Sequence, residues 1–222
     1  HDALPILLCD PHHVLSRENL ERLKAALRPD TIVVSVMLVN NEIGVVQPIA
    51  TLAAVARQHG ALFHTDAAQS AGKIPLDVTA AGADLVSLSA HKLYGPKGVG
   101  ALYVRRRGES VGLVAQMDGG GQERGDRSGT LNVPAIVGFG AACRLAARCM
   151  ATESAALAAL RDELQRLLTE GLDGIRVNGA ECPRLPHNLN VSVEGVAGDD
   201  LFGTLPDIAV SSGATCSSAA RR

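Results

Sequence analysis

The chain has 222 residues, 46% hydrophobic and 20% charged, with a formal net charge of −2. That balance suits a globular protein of one large domain or one and a half, and it offers no broad basic field for nucleic acid or an anionic membrane. No uninterrupted apolar run approaches the roughly 20 residues that cross a bilayer.

The start, HDALPILLCDPHH, lacks the basic opening and small-residue cleavage site of a secretory signal, and it has no initiator Met. The expectation is a chain whose true beginning lies upstream. His12 and His13 have no partner at zinc-site spacing and read as solvated loop residues. Glu18–Leu27 follows as a helix, with Leu20, Leu23 and Leu27 at helical spacing and Pro29 closing it. Thr31–Val39 (TIVVSVMLV) is nearly all apolar and β-branched, which predicts a strand buried on both faces. NNEIGVVQ is a loop. Pro48 opens a helix through His59, which Gly60 ends. Ala61–Thr65, Asp84–Ser89 and Gly100–Arg105 are further short strands.

This strand–helix–strand order predicts an α/β fold, a mainly parallel sheet with helices on both faces. Ligands of such sheets lie beyond the C-terminal ends of the strands, and NNEIG, DAAQ and AHK all sit at such ends. A long Ala- and Leu-rich helix runs from Pro134 to about Glu170, interrupted by Gly138 and Gly140, of the kind that bridges two domains. Ile175–Asn178, Asn188–Val193 and Ile208–Ser211 are strand-like and suggest a smaller, unfinished α+β domain. The organisation expected is a partial large domain over 1–150 and a partial small one over 151–222.

Chemistry concentrates in four places. Lys92 ends a strand in SLSAHKLYGPKGVG. A bare surface lysine is the ordinary reading, yet Ser89 and His91 beside it offer phosphate ligands to a cofactor held by an amine. Asp66, in HTDAAQS, either caps a helix beginning at Ala67 or keeps a pyridine nitrogen protonated, and both are compatible. Gln69 and, from a neighbouring strand end, Asn41 can reach the same ring's phenolic oxygen. The third place, GGGQERGDRSGT, offers glycine backbone N–H groups, Arg124, Arg127, Ser128 and Thr130 to an anion, or is simply a mobile loop. No nucleotide P-loop sequence occurs.

The fourth is Cys216 in SSGATCSS, a loop of small polar residues. A free thiol is only about 3% thiolate at pH 7, so nucleophilic use needs a nearby base or cation, or proton transfer from a bound substrate. The other cysteines are Cys9 and Cys182, without supporting context, and Cys143 and Cys149, read as packing residues of the long helix. Five cysteines without a CxxC pair argue against a disulfide framework and for a reducing, cytoplasmic setting.

In order along the chain, SVMLVNNEIGVVQPI, HTDAAQSAGKIPLDV, SLSAHKLYGPKGVGALYVRR, GGGQERGDRSGTLNVPAIVG, LNVSV and AVSSGATCSSA resemble the cysteine desulfurases, fold-type I pyridoxal phosphate enzymes of the class V aminotransferase superfamily. The short SSGATCSS loop resembles the iron–sulfur-assembly branch. The resemblance implies that Lys92 bonds the cofactor aldehyde and later moves protons, and that Asp66 pairs with the pyridinium nitrogen. Asn41 and Gln69 contact the ring oxygen, and Ser89 and His91 bind the phosphate. Thr130 reaches the phosphate in the partner subunit of a homodimer. Cys216 takes sulfur from L-cysteine as a persulfide, leaving L-alanine, and passes it to an iron–sulfur scaffold protein or another acceptor, transiently sharing a [2Fe-2S] cluster with that scaffold. The family's ring-stacking histidine and substrate-carboxylate arginine have no counterpart in these 222 residues, so the chain alone is expected not to turn over. A selenocysteine lyase would share almost every motif, and an inactive partner subunit is the non-enzymatic alternative.

Overall fold

Alternation along Val33–Met37 (β1) sets the architecture: Val34 and Val36 are buried, while Val33 and Ser35 are open to solvent. The computed structural model describes residues 17–211 apart from Arg107, Glu109, Asp199, Asp200, Phe202, Gly203 and Pro206, so Cys9, His12, His13 and Cys216 lie outside the described residues. Strands Leu62–Asp66 (β2), Leu85–Ser89 (β3) and Gly100–Val104 (β4) complete a sheet in the order β1-β2-β3-β4. The first three strands are parallel and β4 is antiparallel to β3. Val34, Val36, Phe63 and Val86 face one side, where helix Ile49–Gln58 (α2) presents Leu52, Ala53 and Ala56. Leu23, from helix Arg17–Ala26 (α1), joins them. The small alanines of α2 let the helix approach the sheet closely. Burying one side chain of the size of Phe63, 1% exposed, contributes roughly 1.5–3 kcal/mol.

The expectation that Thr31–Val39 is buried on both faces is corrected here. Ser35, His64 and Ser87 occupy the other face, where Val33 and Ser35 of β1 are exposed and His64 and Ser87 are half-buried. Apolar composition alone does not tell which face is covered. Pro48 stands just before α2 rather than within it.

The long helix, Val133–Gly171 (α3), is continuous through Gly138 and Gly140. A Cβ at Gly138 would sit 2.6 Å from Pro96, so the glycine marks close approach of the helix to the turn after β3 rather than a break. Phe139 and Ala142 pack there with Ala90 and Leu93. By length and composition α3 could cross a membrane, although it holds no uninterrupted apolar run of that length. Its Phe139–Ala142 face is engaged within the fold, and Arg144 and Arg148 interrupt the apolar stretch.

Ile175–Val177 (β5) and Val191–Val193 (β6) form a separate antiparallel pair. Ile208–Ser211, read as a third strand, is not one: Ile208 and Val210 are more than half exposed and unpaired with any described strand. The helix expected at Ala67 is also absent; residues 68–73 form turns.

Candidate active site

Because β1, β2 and β3 are parallel, their C-terminal ends share one edge of the sheet. In register, Asp66 pairs with Met37 on one side and Ser87 on the other. The ladder runs on past the strands through Leu38 N–H to Asp66 O (2.8 Å) and Ala67 N–H to Ser87 O (3.0 Å). Three turns leave this edge, and they carry Asn41, Asp66 with Gln69, and Ser89 to Lys92.

Asp66 Oδ1 accepts from Ala68 N–H at 2.8 Å. The carboxylate therefore caps a turn instead of a helix, as short polar side chains do equally well. It is exposed, and among the described residues no cation pairs with it. Gln69 is half-buried in the same turn.

In the turn after β1 the two asparagines divide their work. Asn40 Oδ1 accepts from Glu42 N–H (2.9 Å) and Ile43 N–H (3.0 Å) and so shapes the turn. The Asn41 amide, half-buried at the tip, has no hydrogen bond to any described residue and is available to a ligand.

After β3 the chain enters a 3-10 turn, Ala90–Leu93. Ser89 Oγ lies 2.8 Å from His91 Nδ1, which brings the two expected phosphate ligands together. Lys92 is exposed and, among the described residues, forms no ion pair. The turn closes on Tyr94 in a left-handed conformation (φ 61°), with its ring 4.1 Å from the Lys73 ammonium. A left-handed non-glycine residue costs roughly 1–2 kcal/mol. An exposed cation–π contact returns about half of that. Behind the turn lies a cavity of about 260 Å³ lined by Leu93, Tyr94, Ala146 and Cys149. Cys149 thus borders open space, and Cys143 is exposed, so neither is the close-packed helix residue expected. Cys182 does pack, against Ile43 and Val45.

Thr130 is exposed, and among the described residues no hydrogen bond joins its loop to the Asp66 or Lys92 turns. The loop is held by its own bonds, Ser128 Oγ to Gly120 O and Gly129 N–H to Gln122 Oε1, and by the Arg106–Asp126 ion pair (2.7 Å) beyond the end of β4.

Two features escaped sequence reasoning. On the open sheet face His64 bridges three strands: Ser35 Oγ is 2.7 Å from Nδ1, and Ser87 Oγ is 2.7 Å from Nε2. Burial lowers the His64 pKa below its ordinary value, against the opposing pull of Asp66. The second is the Asp84–Arg105 pair at 2.6 Å. Only knowledge of strand register could have revealed either.

The His64 shift makes stability depend on pH. The folded state favours the neutral imidazole, so the unfolded chain binds more protons just below the ordinary imidazole pKa of about 6.5. Stability is therefore complete above that value and falls as pH drops toward the depressed folded pKa. His187, lowered by burial and by the Lys73 charge, acts in the same sense. Denaturation midpoints measured across this range should decline with falling pH, and His64→Gln should make the decline shallower; an unchanged slope would remove His64 as a source.

A carboxylate at the end of β2 and an amine in the turn after β3, each without an ionic partner among the described residues, thus share one edge of the sheet with the Ser89–His91 pair. Residues 10–222 match the family model described as Aminotransferase class-V, and the chain belongs to that family. It is 54% identical over 225 residues to the cysteine desulfurase IscS of Anaeromyxobacter sp. (strain Fw109-5), an alignment covering 95% of this chain and 55% of that protein. The solved NifS-like protein from Rickettsia africae ESF-5 superposes with a TM-score of 0.79 at 31% identity, over 90% of this chain and 55% of that one. SspA, solved in complex with cysteine, gives 0.70 at 36% identity, over 90% and 55%. The chain spans about half the length of the curated relatives it matches.

Proposed function

We propose that this chain belongs to a pyridoxal phosphate-dependent cysteine desulfurase that converts L-cysteine to L-alanine and moves the sulfur onto Cys216. The observation that carries the reading is that Asp66 at the end of β2 and Lys92 in the turn after β3 leave the same edge of two adjacent parallel strands, each without an ionic partner among the described residues. The donor set fits the cofactor: an amine for its aldehyde, a carboxylate for its ring nitrogen, amides at Asn41 and Gln69 for its ring oxygen, and Ser89 with His91 for its phosphate. When bound, the cofactor supplies an electron sink conjugated to the substrate Cα. Lys92 Nζ would hold the cofactor's aldehyde carbon and would carry the proton exchanged at the substrate. Asp66 holds the proton on the ring nitrogen, and its Ala68 hydrogen bond fixes the carboxylate's direction.

Cys216, outside the described residues, takes the sulfur as a persulfide and delivers it to an acceptor. The solved SspA complex with cysteine and the IscS relatives support cysteine as the substrate. The IscS names support an iron–sulfur scaffold as one acceptor, with a [2Fe-2S] cluster as its cargo. The remaining assignments follow the family pattern: a homodimer in which Thr130 serves the partner's cofactor, a cytoplasmic location, and a division into a cofactor domain (1–150) and a smaller cysteine-bearing one (151–222).

The test is covalent trapping. Purified chain incubated with pyridoxal phosphate and reduced with borohydride should carry one cofactor, located by peptide mass spectrometry on Lys92. Lys92→Ala should lose the label entirely. Label on another lysine, or none, overturns the assignment.

A further inference from the structure

Residue Glu42, next to Asn41, is held from both sides. Its N–H is taken by the Asn40 side chain. Its carbonyl accepts from Asn188 Nδ2 at 3.1 Å and from Asn190 Nδ2 at 3.4 Å, two residues nearly 150 positions away in sequence. Asn190 is itself aimed: Asn178 Nδ2 donates to Asn190 Oδ1 at 2.7 Å, which turns the Asn190 amide nitrogen toward Glu42. The backbone joins the same contact, with Leu185 N–H to Gly44 O and Val46 N–H to Pro183 O, both 2.8 Å. At Gly44 (φ 69°) a Cβ would stand 2.5 Å from the Asn188 side chain, so a glycine is required for the two segments to meet.

Asn188 Oδ1 is buried and has no hydrogen-bond partner among the described residues. An unsatisfied buried acceptor is destabilising, so packing alone is a poor reason for an amide here. Leucine, branched at the same carbon, would bring no such acceptor. What leucine lacks is the donor to Glu42.

From this we propose that Asn188 and Asn190 are positioning residues: by clamping the Glu42 carbonyl they hold the Asn41 amide in place at the cofactor edge. This rests on the reading of Asn41 as a cofactor contact. The contact also ties the strand-pair segment β5–β6 to the C-terminal edge of the main sheet, so the geometry of Asn41 depends on that segment's seating.

A double-mutant cycle tests it, with pyridoxal phosphate affinity read by absorbance titration of the chain. Asn188→Ala should weaken binding about fivefold, the usual consequence of losing one hydrogen bond. Asn41→Ala should weaken it at least as much. The double variant should be no weaker than Asn41→Ala, because the clamp acts only through that amide. Additive losses, or an Asn188→Ala variant that binds like the parent, overturn the clamp while leaving the cofactor reading intact. No effect from Asn41→Ala overturns the reading and the clamp together. A second measurement needs no cofactor: amide hydrogen exchange at Glu42 and Ile43 should accelerate in Asn188→Ala while β2 and β3 keep their protection. If that variant does not fold, Asn190→Ala is read the same way, and unchanged exchange in it overturns the clamp.

Discussion

Asp66→Asn should weaken pyridoxal phosphate binding by about a thousandfold and leave the fold intact. Asparagine keeps an oxygen for the Ala68 N–H, so the turn survives. What disappears is the charge. At an effective dielectric of about 20, a carboxylate 4 Å from a protonated ring nitrogen attracts it by roughly 4 kcal/mol. Each 1.4 kcal/mol is a factor of ten in an equilibrium constant, and no other carboxylate replaces the one lost from this turn. Absorbance titration would give the affinity, and a thermal melt of the unliganded protein would show the fold unchanged. A loss below tenfold would mean that Asp66 does not face the ring.

Asp84→Ala should cost about 3 kcal/mol of folding stability. Asp84 is 5% exposed, and its two oxygens do separate jobs. Oδ2 accepts from Phe63 N–H at 2.7 Å and Oδ1 pairs with Arg105 Nε at 2.6 Å, so one side chain joins β2, the start of β3 and the end of β4. Removing one partner of a buried ion pair typically costs 3–5 kcal/mol, because the other charge is left behind. Arg105 is about a quarter exposed, which brings the cost to the low end of that range. For a chain of this size the melting temperature would fall by roughly 6–12 °C. Asp84→Asn keeps an acceptor for Phe63 and should lose about half as much. Urea denaturation gives both values, and a loss under about 1 kcal/mol for the alanine variant would show the pair to be idle.

Much of the fold was legible because the signals are local. Proline and glycine punctuation placed α2 within a residue or two, and β-branched runs placed β1 to β4. The family motifs marked the strand ends proposed to hold the cofactor. The failures also have local causes. Asp before Ala-Ala-Gln suggested a helix cap, but the same side chain caps a turn. The apolar run at β1 suggested cover on both faces, whereas the sheet leaves Ser35, His64 and Ser87 facing away from α2. Gly138 looked like a break and is a point of contact. What could not be read at all are partnerships across long sequence distance, such as Glu42 with Asn188 or Phe63 with Asp84. Each residue alone is unremarkable in type, and only register and packing bring them together.

The reversal of direction at β4 has a kinetic consequence. Each parallel pair in the main sheet must close a loop containing a helix or a run of turns, whereas β3 and β4 are joined by the shortest connection of any neighbouring strands in that sheet. Loop-closure entropy weighs least on this hairpin. Its connecting segment contains Lys92, so the amine proposed to bind the cofactor sits inside the portion of the sheet that loses the least chain entropy in forming.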